Sequence, residues 1–584
     1  MSSSESTSAA GSPLMISRAS SQTSLEIFDD ETDAPVRNIV FVGAGYVGGP
    51  TAAVIASQCP NIRVTVVDKS RNRIQQWRSK HLPIHEPGLS DIVRLARDGS
   101  ASRAPNLFFS TDCDEHIAAA DIIYLAVNTP TKTNGIGAGA ATDISMFESA
   151  ARSVALAAQP GAIIVEKSTV PCRTADMVRE ILNFHRPGVP FEVLSNPEFL
   201  AEGTAIQDLI NPSRVLIGSS TTTSGRAAAA RLADVYAGWV PRENILTIDV
   251  WSSELAKLVA NAMLAQRISS INSISAICEK TGANVSNVAK AVGLDARLGP
   301  KFLQAGLGFG GSCFKKDILS LAYLAETLEL PEVSQYWRSV IEINEWQCCR
   351  FVRSVVRKLN GSLRGKKVAV LGYAFKKDTA DTRESQATEV VRMLCAECPS
   401  EIAIYDPQCD KTHVEAELAG LFSASTSSPA LKPNGPVSVC DSPYEACAAA
   451  TAVLILTEWD QFRYPSVSPL QPVRPKLHDF DSGYNSDSTM TGEVPTLQTF
   501  QANNPLVMSC DNTNPEPACP GECKDCMLEV HGGVGARDPI DWPTVARLMH
   551  GERYLFDGRG VVDPEKMEEE VGFRVETIGR ARSR

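Results

Sequence analysis

From Asn38 onwards, short apolar runs alternate with amphipathic segments that have a helical period. The runs that predict strands lie at 39–42, 64–67, 122–127, 163–165, 191–194 and 215–217. Strands that alternate with helices are typical of a parallel sheet with helices on both faces. The pattern therefore predicts a doubly wound α/β domain over residues 36–250.

The hydrophobic period changes at Trp251. Leu255, Leu258, Val259 and Ala262 recur at helical spacing, and the apolar stripe continues to about residue 280. We expect one long helix that links two domains, within a central helical segment at 251–350. Two interpretations stay open: a helix in the core of one domain, or a helix that also packs against a second subunit.

A second α/β pattern begins at residue 367, and further strands are predicted at 402–405, 452–456 and 554–556. It predicts a second Rossmann-like domain formed by 351–463 and 539–565. Residues 1–35 and the insertion at 464–538 are rich in small and polar residues, which favours disorder, and residues 566–584 look like a charged tail. The predicted fold class is α/β, with two Rossmann-like doubly wound domains joined by a long central helix.

Composition narrows the class of protein. A chain of 584 residues is too long for one hydrophobic core, and 43% apolar with 21% charged residues is typical of a soluble globular protein. The chain has no long apolar run or signal peptide, and its 16 cysteines have no framework spacing, so we expect reduced thiols in the cytoplasm. A net charge of −12 argues against nucleic acid or an anionic membrane as a partner.

The insertion contains four cysteines, Cys510, Cys519, Cys523 and Cys526. Only the last two form a CxxC pair, and the set fits no common structural zinc site. No metal is therefore expected.

A dinucleotide-binding fingerprint follows the first predicted strand. Gly43 permits a tight turn, Gly45 lets the backbone approach a pyrophosphate, and Gly48 allows close packing of helix and strand. Asp68 ends the next strand, where an acid binds ribose hydroxyls and repels a 2′-phosphate. With Arg73 nearby packing on the adenosine, the expected cofactor is NAD.

The stretch at 306–317 joins a glycine-rich loop to a cysteine. Gly308, Gly310 and Gly311 let backbone amides approach a ligand closely. Cys313 is followed by Lys-Lys-Asp317, and a thiol among amides and lysines can be held as the nucleophilic thiolate. The alternative is a packing cysteine. A nucleophile beside a nicotinamide site suggests oxidation through a covalent thioester.

Several polar residues follow strands of the first sheet, where ligands bind in doubly wound folds. Thr131 and Thr169 could contact the nicotinamide ribose or a water, or could cap helices. Asn196 is predicted to cap a helix that holds Glu198 and Glu202 on one face. A carboxylate there either interacts with the helix dipole or acts as a general base.

Lys257 and Asn261 lie one turn apart at the edge of the long helix's apolar stripe. They are either a solvated flank or a pair that stabilises an oxyanion.

Together these motifs resemble the UDP-glucose 6-dehydrogenases, which belong to the nucleotide-sugar dehydrogenases. The matching pieces cover about 36–464 and 540–565. They are GAGYVGGPT, VNTPT, EKSTVP, SNPEFLAEGTAI, ELAKLVANAMLAQRISSINS, GFGGSCFKKD, AFKKDTADTRES, TEWDQF and FDGRG.

The resemblance implies three sets of site residues. The catalytic set is Cys313 as nucleophile, Lys257, Asn261 and Asp317 as acid–base and oxyanion partners, and Glu198 and Thr169 for water. The NAD set is Gly43, Gly45, Tyr46, Val47, Gly48, Asp68, Arg73, Thr131, Glu202 and Arg383. The UDP-sugar set is Phe199, Leu200, Lys257, Asn261, Arg297, Phe302, Gly310, Phe375, Lys376 and Arg559, with Arg297 reaching a neighbouring subunit.

The resemblance also implies the reaction and the partners. UDP-glucose would be oxidised twice by NAD through a thiohemiacetal and a thioester, in a dimer or a dimer-based hexamer. The rival substrates are GDP-mannose and UDP-N-acetylmannosamine. A simple alcohol dehydrogenase would form one NADH per turnover, and a non-catalytic NAD sensor would lack the nucleophile or the glycine pattern.

Overall fold

The computed structural model describes residues 35–423, 436–465, 517–519 and 538–580. An eight-stranded sheet occupies the amino-terminal part. Its strands are β1 (Asn38–Val42), β2 (Arg63–Val67), β3 (Leu107–Ser110), β4 (Ile122–Leu125), β5 (Ile163–Glu166), β6 (Glu192–Ser195), β7 (Val215–Ser219) and β8 (Ile245–Asp249). They lie in the order β3-β2-β1-β4-β5-β6-β7-β8.

Neighbouring strands of this sheet run parallel, except that β6 and β7 pair antiparallel at Ser195 and Gly218. Side chains alternate between two cores, since Ile39 and Phe41 pack on one face and Val40 on the other. The helices that supply these cores are α1 (Gly48–Gln58), α2 (Arg71–Trp77), α3 (Leu89–Asp98), α4 (Cys113–Ala118), α5 (Ser145–Ala157), α6 (Thr174–His185), α7 (Ala205–Ile210) and α8 (Thr223–Tyr236). The predicted doubly wound architecture is confirmed.

The central part is helical. Its helices are α9 (Val250–Thr281), α10 (Val285–Gly293), α11 (Phe314–Thr327) and α12 (Pro331–Lys358). Asp249 caps α9 by accepting the Ser252 N–H at 2.9 Å, and Gly282 ends it with φ of 86°. The predicted long helix is therefore confirmed. Helix α12 continues past residue 350, where the sequence suggested a boundary.

A six-stranded parallel sheet forms the carboxyl-terminal part. Its strands are β9 (Lys367–Leu371), β10 (Glu401–Tyr405), β11 (Val437–Val439), β12 (Ala452–Ile455), β13 (Tyr554–Asp557) and β14 (Arg574–Thr577), in the order β11-β10-β9-β12-β13-β14. The helices are α13 (Gln386–Ala396), α14 (Lys411–Ser423), α15 (Pro443–Cys447), α16 (Trp542–Leu548) and α17 (Pro564–Lys566). This second Rossmann-like order completes the predicted fold class.

The predicted charged tail from residue 566 is wrong. Strand β14 pairs with β13, and Met567, Phe573 and Val575 are buried in the same core. The segment has few apolar residues and many charged ones, so its composition gave no sign of the edge strand. The parallel sheet thus extends almost to the end of the chain.

The predicted disorder at 1–35 and 464–538 falls largely outside the described residues. Of the four cysteines in the insertion, the structure describes Cys519, whose Sγ lies 3.2 Å from His81 Nδ1. The Lys80 N–H donates to the Pro517 carbonyl at 3.1 Å. This short piece of the insertion therefore contacts the amino-terminal domain. Within the described residues, no helix combines the length and the apolar character that crossing a membrane requires.

Candidate active site

The glycine fingerprint forms a tight loop between β1 and α1. Gly43 has φ of +112°, and a Cβ there would lie 2.4 Å from the Ala126 carbonyl oxygen. A Cβ on Gly48 would lie 2.1 Å from the Gly43 carbonyl oxygen. A Cβ on Gly45, in contrast, would have no atom within 4 Å. The loop is closed on its protein side and open at Gly45, so it fits the pyrophosphate of NAD.

Asp68 lies beside this loop at the end of β2. Its carboxylate accepts the Ala44 N–H at 2.9 Å and the Ser70 N–H at 2.8 Å. Arg73 Nη1 lies 3.4 Å from the same carboxylate. The arginine charge is therefore paired with an acid that would repel a 2′-phosphate, which favours NAD over NADP.

The cysteine loop is held against the second domain. A Cβ on Gly310 would lie 2.6 Å from the Glu384 carbonyl oxygen, and the Gly311 N–H donates to the Arg383 carbonyl at 3.2 Å. Cys313 immediately precedes α11. The glycines therefore permit the close backbone approach that fixes Cys313 at the domain junction.

Four buried polar side chains form a second group. Lys257 Nζ lies 3.1 Å from Glu198 Oε1, and Asn261 Nδ2 donates to Asp317 Oδ2 at 2.6 Å. All four are at least 90% buried. The interpretation of Lys257 and Asn261 as a solvated flank is therefore wrong. Buried groups of this kind are costly unless paired, so their pairing supports a functional arrangement.

The ionisation of this group is set by its internal pairs. Burial raises the pKa of Glu198, but the Lys257 ammonium and the Leu200 N–H outweigh it, so the pKa lies below its ordinary value. Burial lowers the pKa of Lys257, but Glu198, Asp317 and the Cys313 sulfur outweigh it and raise the pKa overall. Glu198 is thus a carboxylate and Lys257 an ammonium at neutral pH.

The expectation that the lysines hold Cys313 as a thiolate is wrong for this arrangement. The Cys313 side chain is open to solvent on one side, yet surrounding protein and the carboxylates of Glu198 and Asp317 raise the pKa of its thiol. Lys257 and Lys316 lower it, but each is paired with one of those carboxylates, at 3.1 and 2.8 Å. Burial and the two carboxylates therefore outweigh the lysines, and the pKa of the Cys313 thiol lies above its ordinary value.

This leads to a measurable pH dependence. The thiolate is the reactive form, so the rate at which iodoacetamide alkylates Cys313 should rise with pH. The midpoint of this rise is expected to lie above that of an unperturbed thiol, which is about 8.5. Mass spectrometry of the peptide that carries Cys313 would follow the reaction between pH 7 and 10, with glutathione as the control. A midpoint below that of glutathione would contradict the geometry.

The predicted helix after Asn196 is absent. The backbone from 196 to 204 is irregular, and α7 begins only at Ala205. Asn196 instead donates to the Leu216 carbonyl at 2.8 Å and accepts from Lys167 at 3.1 Å. Its side chain therefore crosslinks β6 and β7 rather than capping a helix.

Without that helix, Glu198 and Glu202 face different partners. Glu202 Oε1 lies 3.5 Å from Arg383 Nη2, across the junction between the two domains. Burial and the neighbouring Asp381 raise the pKa of Glu202 to about 7, although Arg383 and Lys376 lower it. Arg383 of the second domain therefore lies beside a carboxyl group of the amino-terminal domain, and the pKa of that group is near neutrality.

The two threonines do not cap helices. The residues that precede α5 and α6 are Ile144 and Arg173, and neither makes a side-chain cap. The Thr169 carbonyl accepts from Thr129 Oγ1 at 2.8 Å, and Thr131 forms a bridge with Thr142. Both threonines thus lie on loops at the carboxyl ends of β4 and β5, which leaves a role at the ligand crevice.

Residues predicted to contact a sugar nucleotide lie around the cysteine loop. The Phe199 ring centroid lies 5.4 Å from Lys257 Nζ, and the Leu200 N–H donates to Glu198 at 2.8 Å. Phe302 has φ of 63° and is 40% exposed, 6.5 Å from the Phe314 ring. These residues line the amino-terminal and central side of the site.

The second domain supplies the opposite side. Arg559 donates to the Gly308 carbonyl at 3.0 Å and contacts the Phe375 carbonyl at 3.4 Å. Lys376 Nζ lies 5.5 Å from the Phe375 ring centroid. Arg297 does not join this group, since its contacts are with Asp295 and its side chain is 89% exposed.

Two site residues were missed from the sequence. Asn344 on α12 brackets the cysteine loop, accepting the Phe309 N–H at 2.8 Å and donating to the Phe309 carbonyl at 3.0 Å. Lys316 pairs with Asp317 at 2.8 Å. Asn344 could have been found as an asparagine on the apolar face of α12. Lys316 could not, because the sequence does not distinguish its role from that of the adjacent Lys315.

Comparison with known proteins agrees with this geometry. Three domains of the UDP-glucose/GDP-mannose dehydrogenase family match the chain: the NAD binding domain at 37–240, the central domain at 251–346 and the UDP binding domain at 369–480. The matched NAD binding domain confirms the predicted cofactor.

Individual relatives are similar over most of their length. UDP-glucose 6-dehydrogenase 3 of Oryza sativa subsp. japonica is 54% identical over 93% of this chain and 97% of that protein. UDP-glucose 6-dehydrogenase 3 of Arabidopsis thaliana is 52% identical over 73% of this chain and 88% of that protein. A solved UDP-glucose dehydrogenase from Pyrobaculum islandicum is 31% identical with a TM-score of 0.62, covering 73% of this chain and 91% of that one. The chain therefore belongs to the UDP-glucose/GDP-mannose dehydrogenase family.

Proposed function

We propose that this protein oxidises UDP-glucose to UDP-glucuronate, consuming two NAD and one water and forming two NADH. The observation that carries the proposal is the placement of Cys313 at the domain junction, beside a buried lysine, an asparagine and two carboxylates. The 54% identity to a rice UDP-glucose 6-dehydrogenase supports UDP-glucose as the substrate.

The first oxidation converts the C6 alcohol of the sugar to an aldehyde. The glycine loop and Asp68 would hold NAD, which would supply the hydride acceptor for each oxidation. Asp317 takes the hydroxyl proton, since Asn261 and Lys316 hold its carboxylate in place. The Lys257 ammonium stabilises the negative charge that develops on the C6 oxygen.

The second oxidation passes through covalent bonds to Cys313. The sulfur adds to the aldehyde carbon while the thiol proton passes through a site base to the aldehyde oxygen, and the product is a thiohemiacetal. Transfer of a second hydride to the second NAD and of the hydroxyl proton to the same base would give a thioester, with Lys257 and Asn261 facing its oxygen. Glu198 and Thr169 position a water, Glu198 takes a proton from it, and its oxygen displaces the sulfur to give the acid and regenerate the thiol.

The binding roles follow the two sides of the site. The NAD site begins at the glycine loop and is completed by Tyr46, Val47, Thr131, Glu202 and Arg383. The UDP-sugar lies between the amino-terminal side, with Phe199 and Leu200, and the second-domain side. The second-domain side consists of Phe375, Lys376 and Arg559.

A product assay tests the proposal directly. Purified protein is supplied with NAD and, in separate reactions, UDP-glucose, GDP-mannose or UDP-N-acetylmannosamine. UDP-glucose is expected to react fastest and to give two NADH per acid formed. One NADH per turnover would indicate a simple alcohol dehydrogenase, and faster reaction of another sugar would transfer the proposal to that substrate.

Self-association through α9 forms part of the proposal. Met263 and Ile277 are exposed by 55% and 56%. Residues 14 apart lie within about 40° of each other around a helix, so both belong to one face. An exposed apolar face of this kind favours a partner surface, and a second copy of the chain would bring Arg297 to a neighbouring sugar site.

The dimer can be tested by changing that face. The double variant Met263→Glu/Ile277→Glu is expected to have the mass of a single chain in light scattering, whereas the wild-type protein has the mass of an assembly. Lys280→Glu, which alters an exposed polar residue of the same helix, is the control and should leave the assembly intact. A wild-type protein that already has the mass of one chain would refute the proposed dimer.

A further inference from the structure

Glu86 is a buried carboxylate that no step of the proposed reaction uses. It lies in the connection between α2 and α3 and is 6% exposed. Its Oε1 accepts the Gly203 N–H at 2.6 Å and the hydroxyl of Tyr46, and its Oε2 accepts the Ala205 N–H at 3.2 Å. Both oxygens are therefore occupied by donors from two distant parts of the chain.

Those two parts both contribute to the proposed site from the amino-terminal domain. Tyr46 belongs to the glycine loop of the NAD fingerprint, between Gly45 and Gly48. Gly203 lies in the irregular segment that carries Glu198 and Glu202, and Ala205 begins α7 directly after it. The connection holding Glu86 thus reaches both the loop for the pyrophosphate and the segment that faces the reacting carbon.

Burying a carboxylate costs free energy that its hydrogen bonds must offset. Charge-assisted hydrogen bonds to backbone N–H groups are short and strong, so they hold the 203–205 turn in one conformation. The Thr204 N–H of the same turn donates to the Ala201 carbonyl at 3.0 Å, and Glu86 accepts the N–H groups on either side of it. The same carboxylate orients the Tyr46 ring, which packs at the start of the loop that NAD would meet.

We propose that Glu86 is a positioning residue that sets the NAD loop and the Glu198–Glu202 segment in register. The inference rests on the proposed NAD and sugar roles of those two segments. Because one carboxylate holds both, its loss should weaken NAD binding and disturb the chemical step together. A residue that served only the stability of the fold would leave both unchanged in the folded protein.

The test uses Glu86→Gln, which keeps the size of the side chain but replaces one acceptor oxygen with a donor. NAD affinity is measured by calorimetry, kcat and KM for both substrates by NADH formation, and thermal stability by unfolding. We expect Glu86→Gln to raise the dissociation constant of NAD about tenfold, as the loss of one such hydrogen bond implies, and to lower kcat. Glu115→Gln, an exposed change in the same domain, is the matched control.

Tyr46→Phe separates the two arms of the contact. It is expected to reproduce the loss of NAD affinity with a smaller effect on kcat, since the bonds to Gly203 and Ala205 persist. The double variant should bind NAD no more weakly than Glu86→Gln alone, because both changes break the same contact. The single variant Tyr46→Phe can still be measured if Glu86→Gln fails to fold.

Each outcome decides between the inference and the proposed function. Unchanged NAD affinity in a folded Glu86→Gln protein, or additive effects in the double variant, would overturn the role of Glu86. A wild-type protein that binds NAD but forms no UDP-glucuronate would instead refute the proposed function, while the binding comparison would still test Glu86.

Discussion

Replacing Cys313 with alanine is expected to lower the rate of UDP-glucuronate formation by about 10⁴-fold or more, the size of effect that follows loss of a covalent nucleophile. The sulfur captures the aldehyde and carries the acyl group, and no other cysteine lies in the group around Lys257 among the described residues. The variant retains the groups that act on the alcohol. It should therefore form at most one NADH per sugar and release an aldehyde.

Cys398→Ala is the matched control, since it removes another exposed thiol, in the second domain. It should leave the rate and the yield of two NADH unchanged. Unfolding curves of both variants would confirm that the fold persists. Acid formation by Cys313→Ala at the wild-type rate would contradict the covalent route.

Replacing Lys257 with methionine is expected to lower kcat by about 10²–10³-fold, which is typical for removal of one group that stabilises a developing oxyanion. The change keeps the length of the side chain but removes the ammonium that lies 3.1 Å from Glu198. The pKa of Glu198 should then rise, because Lys257 is the main charge that lowers it. Steady-state kinetics across pH would show both effects.

The same substitution leaves a buried carboxylate without its partner, which costs about 3–5 kcal/mol of stability. The double variant Lys257→Met/Glu198→Gln removes both charges and should regain most of that stability. It should not regain activity, since both catalytic groups are gone. A double variant with near wild-type kcat would show that the pair is structural.

Much of the fold could be predicted from the sequence because buried parallel strands are continuous apolar runs. Strands β1, β2, β4 and β9 are of this kind, and the buried positions of α9 recur at helical spacing over many turns. The strands that were missed are short or lie at sheet edges. In β8 all five residues are at least partly exposed, so no buried apolar run marks it.

The site was predictable where one segment holds the chemistry, as in the glycine fingerprint and the loop of Cys313. It was not predictable where the partner comes from a distant segment. Asn261 and Asp317 are 56 residues apart, and the pairing of Lys257 with Glu198 spans two domains of the sequence. The ionisation of Cys313 depended on those pairs, so counting the lysines near the cysteine led to the wrong expectation.

The most direct test is to detect the acyl group on the enzyme during turnover. The protein is mixed with UDP-glucose and NAD, quenched with acid within the first turnover and digested, and the peptide carrying Cys313 is weighed by mass spectrometry. The account predicts a fraction of that peptide carrying a UDP-glucuronyl group, which hydroxylamine removes. Full formation of UDP-glucuronate with Cys313 unmodified at every time point would contradict it.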